Sequence, residues 1–148
     1  MKQKKETDNP INFLQIKRSE LPGAGKGLFT KKQIKKGTRI SEYKGRITTW
    51  KNMDHKNGGN PYLFYVNKDH VIDAWRFKKA KARYANDAKG LNRKRGITNN
   101  AKYVHHGTRV FLVANKNIDP GAEILVDYGK DYWDAVKYNN TIRSQKHR

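Results

Sequence analysis

The chain contains no cysteine. Disulfide bridges and thiolate zinc sites are therefore excluded, which suits a reducing compartment. No apolar run is long enough to cross a bilayer, and no signal-peptide core is present. A soluble, intracellular protein is expected. No Gly-x-Ser-x-Gly motif and no thiol nucleophile occur, so hydrolase chemistry lacks a nucleophile signature. His55, His70, His105, His106 and His147 have no metal-ligand spacing. The adjacent pair 105–106 would point to opposite faces of a strand, and no metal is assigned.

Acids are scarce too. Only 13 Asp and Glu stand against 33 Lys and Arg, a formal net charge of +20. Such a field attracts nucleic acid and repels other basic proteins at long range. A merely solubilising surface is the alternative. Hydrophobic residues make up only 35% of the chain, but 11% of residues are aromatic. Large rings can build a small core at a low apolar count. The length of 148 residues is that of one domain. Folding at this size buries roughly 70% of the unfolded surface, enough for one core without staples.

Residues 1–10 read as a disordered basic arm, 11–136 as the folded domain and 137–148 as a basic tail. Apolar residues at 11, 13, 14 and 16 predict a strand over 11–18. Residues 22–27 are glycine-rich and must turn. A strand is expected over 38–44. Thr48 or Thr49 can cap a short helix to about Lys56, and Asn57 to Pro61 breaks it. Hairpins are predicted around Lys68-Asp69 (62–67 with 70–74) and His106-Gly107 (102–105 with 108–114). Residues 80–88 suggest a short helix and 89–98 a basic loop. Asp119-Pro120-Gly121 turns. Residues 123–126 form a last strand and 131–136 a last helical turn. Many short strands at close spacing indicate a mainly β domain of small sheets. Gly23 to Gly27 does not follow a clear strand and open a helix, so it is a poor dinucleotide fingerprint.

Five short motifs follow one another in order: Gly25-Lys26-Gly27-Leu28-Phe29, Tyr43-Lys44-Gly45, Arg83-Tyr84-Ala85-Asn86-Asp87, Asn99-Asn100-Ala101-Lys102-Tyr103, and Glu123-Ile124-Leu125-Val126-Asp127-Tyr128-Gly129. None is specific alone. Each has a plain structural reading: a tight turn for the glycines, a cap for Asn-Asp, core or rim for a tyrosine. Together they resemble the SET domain of protein lysine methyltransferases, over most of Gln15 to Trp133.

That resemblance implies a fold of several small sheets with short helices and a C-terminal pseudoknot. The knot would bring 83–86, 100–103 and 127–128 together. It implies S-adenosyl-L-methionine as methyl donor, contacted by Gly25, Lys26, Gly27, Arg83, Asn86 and Asp87. Trp133 would cover adenine or else pack on the core. Tyr128 resembles the catalytic tyrosine, with Tyr43 and Tyr103 beside it. With Val126 these line the target-lysine channel, and Val126 occupies the position that limits methyl number. The product degree stays open, with mono- or dimethylation favoured.

Two departures stand out. Asp87 replaces the usual histidine, and Asn99 stands where proline is common. Asp127, Asp131 and Asp134 either form a negative mouth for a basic peptide or offset nearby lysines. The loop 89–98 either touches phosphates or is simply solvated.

The chain looks like a minimal, free-standing SET protein of the viral and bacterial kind. The implied activity is methylation of lysine on a basic protein: histone, histone-like or ribosomal. Nucleic-acid proximity follows from the charge and a homodimer is open, with no membrane partner. The compartment would be cytoplasm, nucleoid or nucleus. A nucleic-acid-binding module without catalysis is the rival expectation.

Overall fold

Short runs of β-branched and aromatic residues, cut by glycine and polar turns, can make only short strands. The computed structural model describes residues 12–52, 62–90 and 93–129. Among these, β1 (Leu14–Arg18), β2 (Lys26–Thr30), β3 (Arg39–Glu42), β4 (Arg46–Thr48), β5 (Leu63–Asn67), β6 (His70–Asp73), β7 (Ala101–His106), β8 (Arg109–Ala114) and β9 (Glu123–Ile124) make three small sheets. Their orders are β1-β2-β9, β3-β8-β7 and β4-β6-β5, and every ladder is antiparallel. The expected mainly β architecture of small sheets is the one observed.

The three sheets share one core. Leu28, Ile40, Ile72, Val110, Leu112 and Ile124 lie in a single buried cluster. Strand β8 is buried from Val110 to Ala114, because both its faces are covered. The hairpins turn where predicted. Asn67 Oδ1 accepts from the Asp69 amide at 2.9 Å in the first, and Gly107 takes a φ of 64° in the second.

Three expectations are corrected. Residues 26–30 form β2, although Lys26 and Gly27 read as turn. Residues 46–48 form β4, where Thr48 or Thr49 was expected to start a helix. Thr49 does cap, but only a turn: its Oγ1 accepts from the Asn52 amide at 3.2 Å. The short helix over 80–88 shrinks to a 3₁₀ turn, Lys81–Tyr84, with extended backbone on both sides. The arm 1–10, the break at 57–61, the helical turn 131–136 and the tail 137–148 lie outside the described residues.

One crossing organises the site. Residues 123–128 run between two earlier segments. Val126 donates its amide to the Asn86 carbonyl at 2.8 Å, while Asn100 and Ala101 both donate to the Leu125 carbonyl at 2.9 Å. The pairings Asn86 with Leu125 and Ala101 with Val126 are parallel. Asn100 clamps the strand further: Nδ2 donates to the Glu123 carbonyl and Oδ1 accepts from the Leu125 amide, both at 2.9 Å. The 83–86, 100–103 and 127–128 segments thereby meet.

Gly45 marks a close approach of backbones. A Cβ there would lie 2.4 Å from the Asp73 carbonyl oxygen and 2.7 Å from the Ala74 nitrogen. Neither atom is the end of a flexible side chain. Gly45→Ala is expected to lower the unfolding free energy by about 1–3 kcal/mol. A shifted denaturant midpoint reads this; an unchanged midpoint would refute it.

Candidate active site

Tyrosines spaced far apart in sequence converge. The Tyr43 amide donates to the Val110 carbonyl at 2.8 Å, fixing Tyr43 just beyond β3. Its ring stands 6.2 Å from that of Tyr103, edge-on at 84°. Tyr103 stacks on Tyr128 at 6.4 Å with 19° between planes. Phe64 from β5 joins them, 5.4 Å from Tyr43 and 4.8 Å from Tyr103. Its alternation with exposed Tyr65 was the available signal for Phe64, since alternate strand residues face opposite sides.

Tyr128 is held at both ends. Its hydroxyl donates to the Ala85 carbonyl. Its amide donates to Asp87 Oδ2 at 2.9 Å. Asn86, between those two residues, turns its side chain the other way. Nδ2 donates to the Lys26 carbonyl at 3.0 Å and lies 3.5 Å from Glu123 Oε2. Residues 85–87 thus join the tyrosine cluster to the glycine-rich segment. Both Asn86 bonds use Nδ2; the amide oxygen takes part in neither.

Gly27 has a reason other than the expected ligand contact. A Cβ there would sit 2.3 Å from Glu123 Oε2. The Glu123 carboxylate is buried and accepts from Ser19 Oγ at 2.7 Å and the Glu20 amide at 2.9 Å. It pins three segments at the base of the site. An acid opening an apolar strand was its only mark in sequence. Gly25 has a φ of 73°, and a Cβ there would meet open space.

The Asp87 carboxylate faces inward. It is 4% exposed. Besides the bond to Tyr128, its Oδ1 accepts from the Lys89 amide and from Asn99 Nδ2, both at 2.8 Å. Asn99 Oδ1 in turn accepts from the Ala88 amide at 2.8 Å. The two residues that depart from the family pattern are therefore each other's partners.

Arg83 is held by neighbouring backbone and rings. Its guanidinium donates to the Ala74 carbonyl at 3.0 Å, the Trp75 carbonyl at 2.9 Å and the Tyr84 hydroxyl at 2.7 Å. It lies over the Tyr62 and Tyr84 rings at 4.2 and 4.6 Å. Those contacts tie the turn after β6 to the 3₁₀ segment, and they account for the arginine without a donor contact.

Val126 is fully buried at 0% exposure, in the core cluster against which Tyr128 packs. Asp127 takes the alternative of offsetting a lysine: Lys89 Nζ is 3.5 Å from its Oδ2. In the basic loop, Arg93 Nε donates back to the Lys89 and Gly90 carbonyls at 3.0 and 3.2 Å, while Lys94 and Arg95 are exposed. Trp133, Asp131 and Asp134 lie outside the described residues.

Known proteins resemble this chain in sequence and in fold. The SET domain, as a family, matches residues 25–129. N-lysine methyltransferase KMT5A of Xenopus tropicalis is 30% identical over 124 residues, covering 77% of this chain and 36% of that protein. The chain thus spans little more than a third of that relative. The solved methyltransferase domain of human PR domain-containing protein 2 has a TM-score of 0.61 at 22% identity, over 84% of this chain and 82% of that one. At that identity the likeness is one of fold.

Proposed function

This chain belongs to the SET-domain family, and on that premise we propose that it is a protein-lysine N-methyltransferase using S-adenosyl-L-methionine. The carrying observation is the 85–87 segment. It holds the Tyr128 hydroxyl and amide on one side, and through Asn86 the Lys26 carbonyl on the other.

The residues fit the donor. Its amino-acid end needs an acceptor for an ammonium and donors for a carboxylate. Asn86 offers its amide oxygen, and Lys26 its cation and backbone, beside the open turn at Gly25. Trp133 would cover the adenine. When bound, the donor supplies an electrophilic methyl group on a sulfonium.

Tyr43, Phe64, Tyr103 and Tyr128 wall the lysine channel, with Val126 behind it. A target lysine must arrive neutral, although its free pKa is about 10.4. Ring walls strip water from the ammonium and favour proton loss. The Tyr128 hydroxyl donates to the Ala85 carbonyl, and a phenol oxygen that donates can also accept, so it would accept from the amine N–H. That contact turns the nitrogen lone pair toward the methyl group. Mono- or dimethylation is the product we favour. The Asp87 carboxylate, held by Asn99, positions Tyr128 and leaves the Asp87 backbone to meet the donor.

The substrate class we infer is a basic protein, histone, histone-like or ribosomal, carried on nucleic acid. A charge of +20 repels a bare basic tail but is drawn to one bound to a polyanion. This would place the enzyme at chromatin, nucleoid or ribosome. Incubation with labelled donor and basic proteins, free or on nucleic acid, tests the reading. Label on lysine, and heat of donor binding by calorimetry, are expected. Absence of both heat and label would refute it.

A further inference from the structure

The outer face of the β4-β6-β5 sheet has properties that methyl transfer does not use. Among the described residues, every exposed large hydrophobic falls between positions 47 and 77: Ile47, Trp50, Tyr65, Trp75 and Phe77. Four are rings, with Trp50 49%, Tyr65 55%, Trp75 51% and Phe77 43% exposed. Rings wholly built into a core are covered; these stay about half exposed.

Register puts one of them on a surface with charge. Tyr65 and Thr48 both pair with Val71, and Leu63 and Arg46 both pair with Asp73. Paired residues share a face, so Tyr65, Arg46 and Asp73 lie on one side. Phe64, Ile72 and Ile47 lie on the other, where Phe64 meets the Tyr43 and Tyr103 rings. Trp50 joins the outer side: its ring stands 5.6 Å from Tyr65 at 88°. Its amide donates to the Lys68 carbonyl at 2.9 Å, so Lys51 and Lys68 flank the pair. Asp73 links the far end. Arg46 is 3.9 Å from its carboxylate, which also accepts from the Trp75 amide at 3.0 Å. The chain then leaves this face: Trp75-Arg76-Phe77-Lys78-Lys79 is exposed, and the Trp75 ring stands 5.9 Å from Tyr62, which packs on the core.

Charge selects the occupant. Over 44–52 and 62–79 seven cations stand against two acids, and one of those acids faces Arg46. A greasy protein partner would not want that density of positive charge, and a second copy of this chain would repel it. A single-stranded nucleic acid fits: phosphates meet the cations and bases stack on the rings. We propose that this face is a single-strand binding platform, lying on the far side of the sheet from the tyrosine cluster. The proposal stands whether or not the chain transfers methyl groups.

The probe is a fluorescein-labelled oligo-dT or oligo-rU of about 15 nucleotides, near the upper site size of a single-strand groove, followed by anisotropy and by quenching of tryptophan emission. Binding that weakens as salt rises from about 50 to about 200 mM is expected. Trp50→Leu and Tyr65→Leu keep apolar bulk but remove the flat ring. Each is expected to weaken binding ~10-fold with the salt slope unchanged, since stacking contributes about 1–3 kcal/mol per base. Lys51→Gln and Lys68→Gln should each lower the slope by about one unit. Circular dichroism and donor calorimetry on the same variants should match wild type. Leucine variants that bind as well as wild type would overturn the platform, leaving phosphate attraction alone. So would absence of binding, or concentration-dependent dimers that the leucine variants abolish, which would assign the face to a second copy.

Discussion

Tyr128→Phe is expected to lose at least ~100-fold in kcat while donor affinity stays at the wild-type value. The size follows from removing one preorganised polar contact at a reacting centre, typically about 10²–10³-fold. The ring stays, so stacking on Tyr103 at 6.4 Å and the channel wall survive. What goes is the oxygen anchored on the Ala85 carbonyl. Single-turnover methylation reads the chemical step, and calorimetry reads the donor. A variant that transfers label as fast as wild type would remove Tyr128 from the catalytic role. A variant that loses donor binding equally would mean that the hydroxyl supports the donor pocket instead.

The second large effect concerns Asp87 and Asn99. Asp87→Asn sets an NH₂ either against the Tyr128 amide or against Asn99 Nδ2 and the Lys89 amide, since all three are donors to the present carboxylate. A buried donor left facing a donor costs about 1–3 kcal/mol. A shift of Tyr128 by about 1 Å can cost ~100-fold in rate. Asn99→Asp instead sets two carboxylates within hydrogen-bonding distance, an arrangement one shared proton must hold. The exchange Asp87→Asn with Asn99→Asp restores complementarity between the two side chains and toward Tyr128, and leaves only the Lys89 amide facing an NH₂. The amide introduced at position 87 would accept from Tyr128 through its oxygen and donate through its NH₂ to the carboxylate introduced at position 99. That carboxylate still accepts from the Ala88 amide. Each single change is expected to lower kcat ~100-fold, and the exchange to recover most of it. If the exchange is no better than either single change, or if the singles alter only the melting temperature, the pair is framework and does not position Tyr128.

That pair shows where sequence reasoning stops. Asp87 and Asn99 were visible as two separate departures from a pattern. Twelve positions and a basic loop separate them, and no periodicity relates them. Local signals did better. The turns at Lys68-Asp69 and His106-Gly107 sit between alternating apolar runs, and both hairpins formed there. The five ordered motifs located Tyr43, Tyr103, Tyr128, Asn86 and Lys26, which the fold gathers around residues 85–87. Strand β2 was missed because it is buried on both faces from Gly27 to Thr30, so alternation is absent and two residues in a glycine-rich run read as turn. Strand β4 was missed because three residues carry too little pattern against two threonines able to cap. Arg83 and Glu123 kept their types but had other work: one ties down a turn through its guanidinium, the other anchors Ser19 and Asn86 at the base.

The clamp around residues 123–128 also sets a timetable for synthesis. The bond between Ser19 and Glu123 spans 104 positions. At ribosomal speeds of about 5–20 residues per second, its second half emerges roughly 5–20 s after the first. Until then β2 has an open edge, Ser19 lacks its carboxylate, and the slot between Asn86 and Ala101 has no strand to fill it. The nascent polypeptide must therefore wait, partly unassembled, and Tyr128 joins Tyr103 only when the last insertion is made.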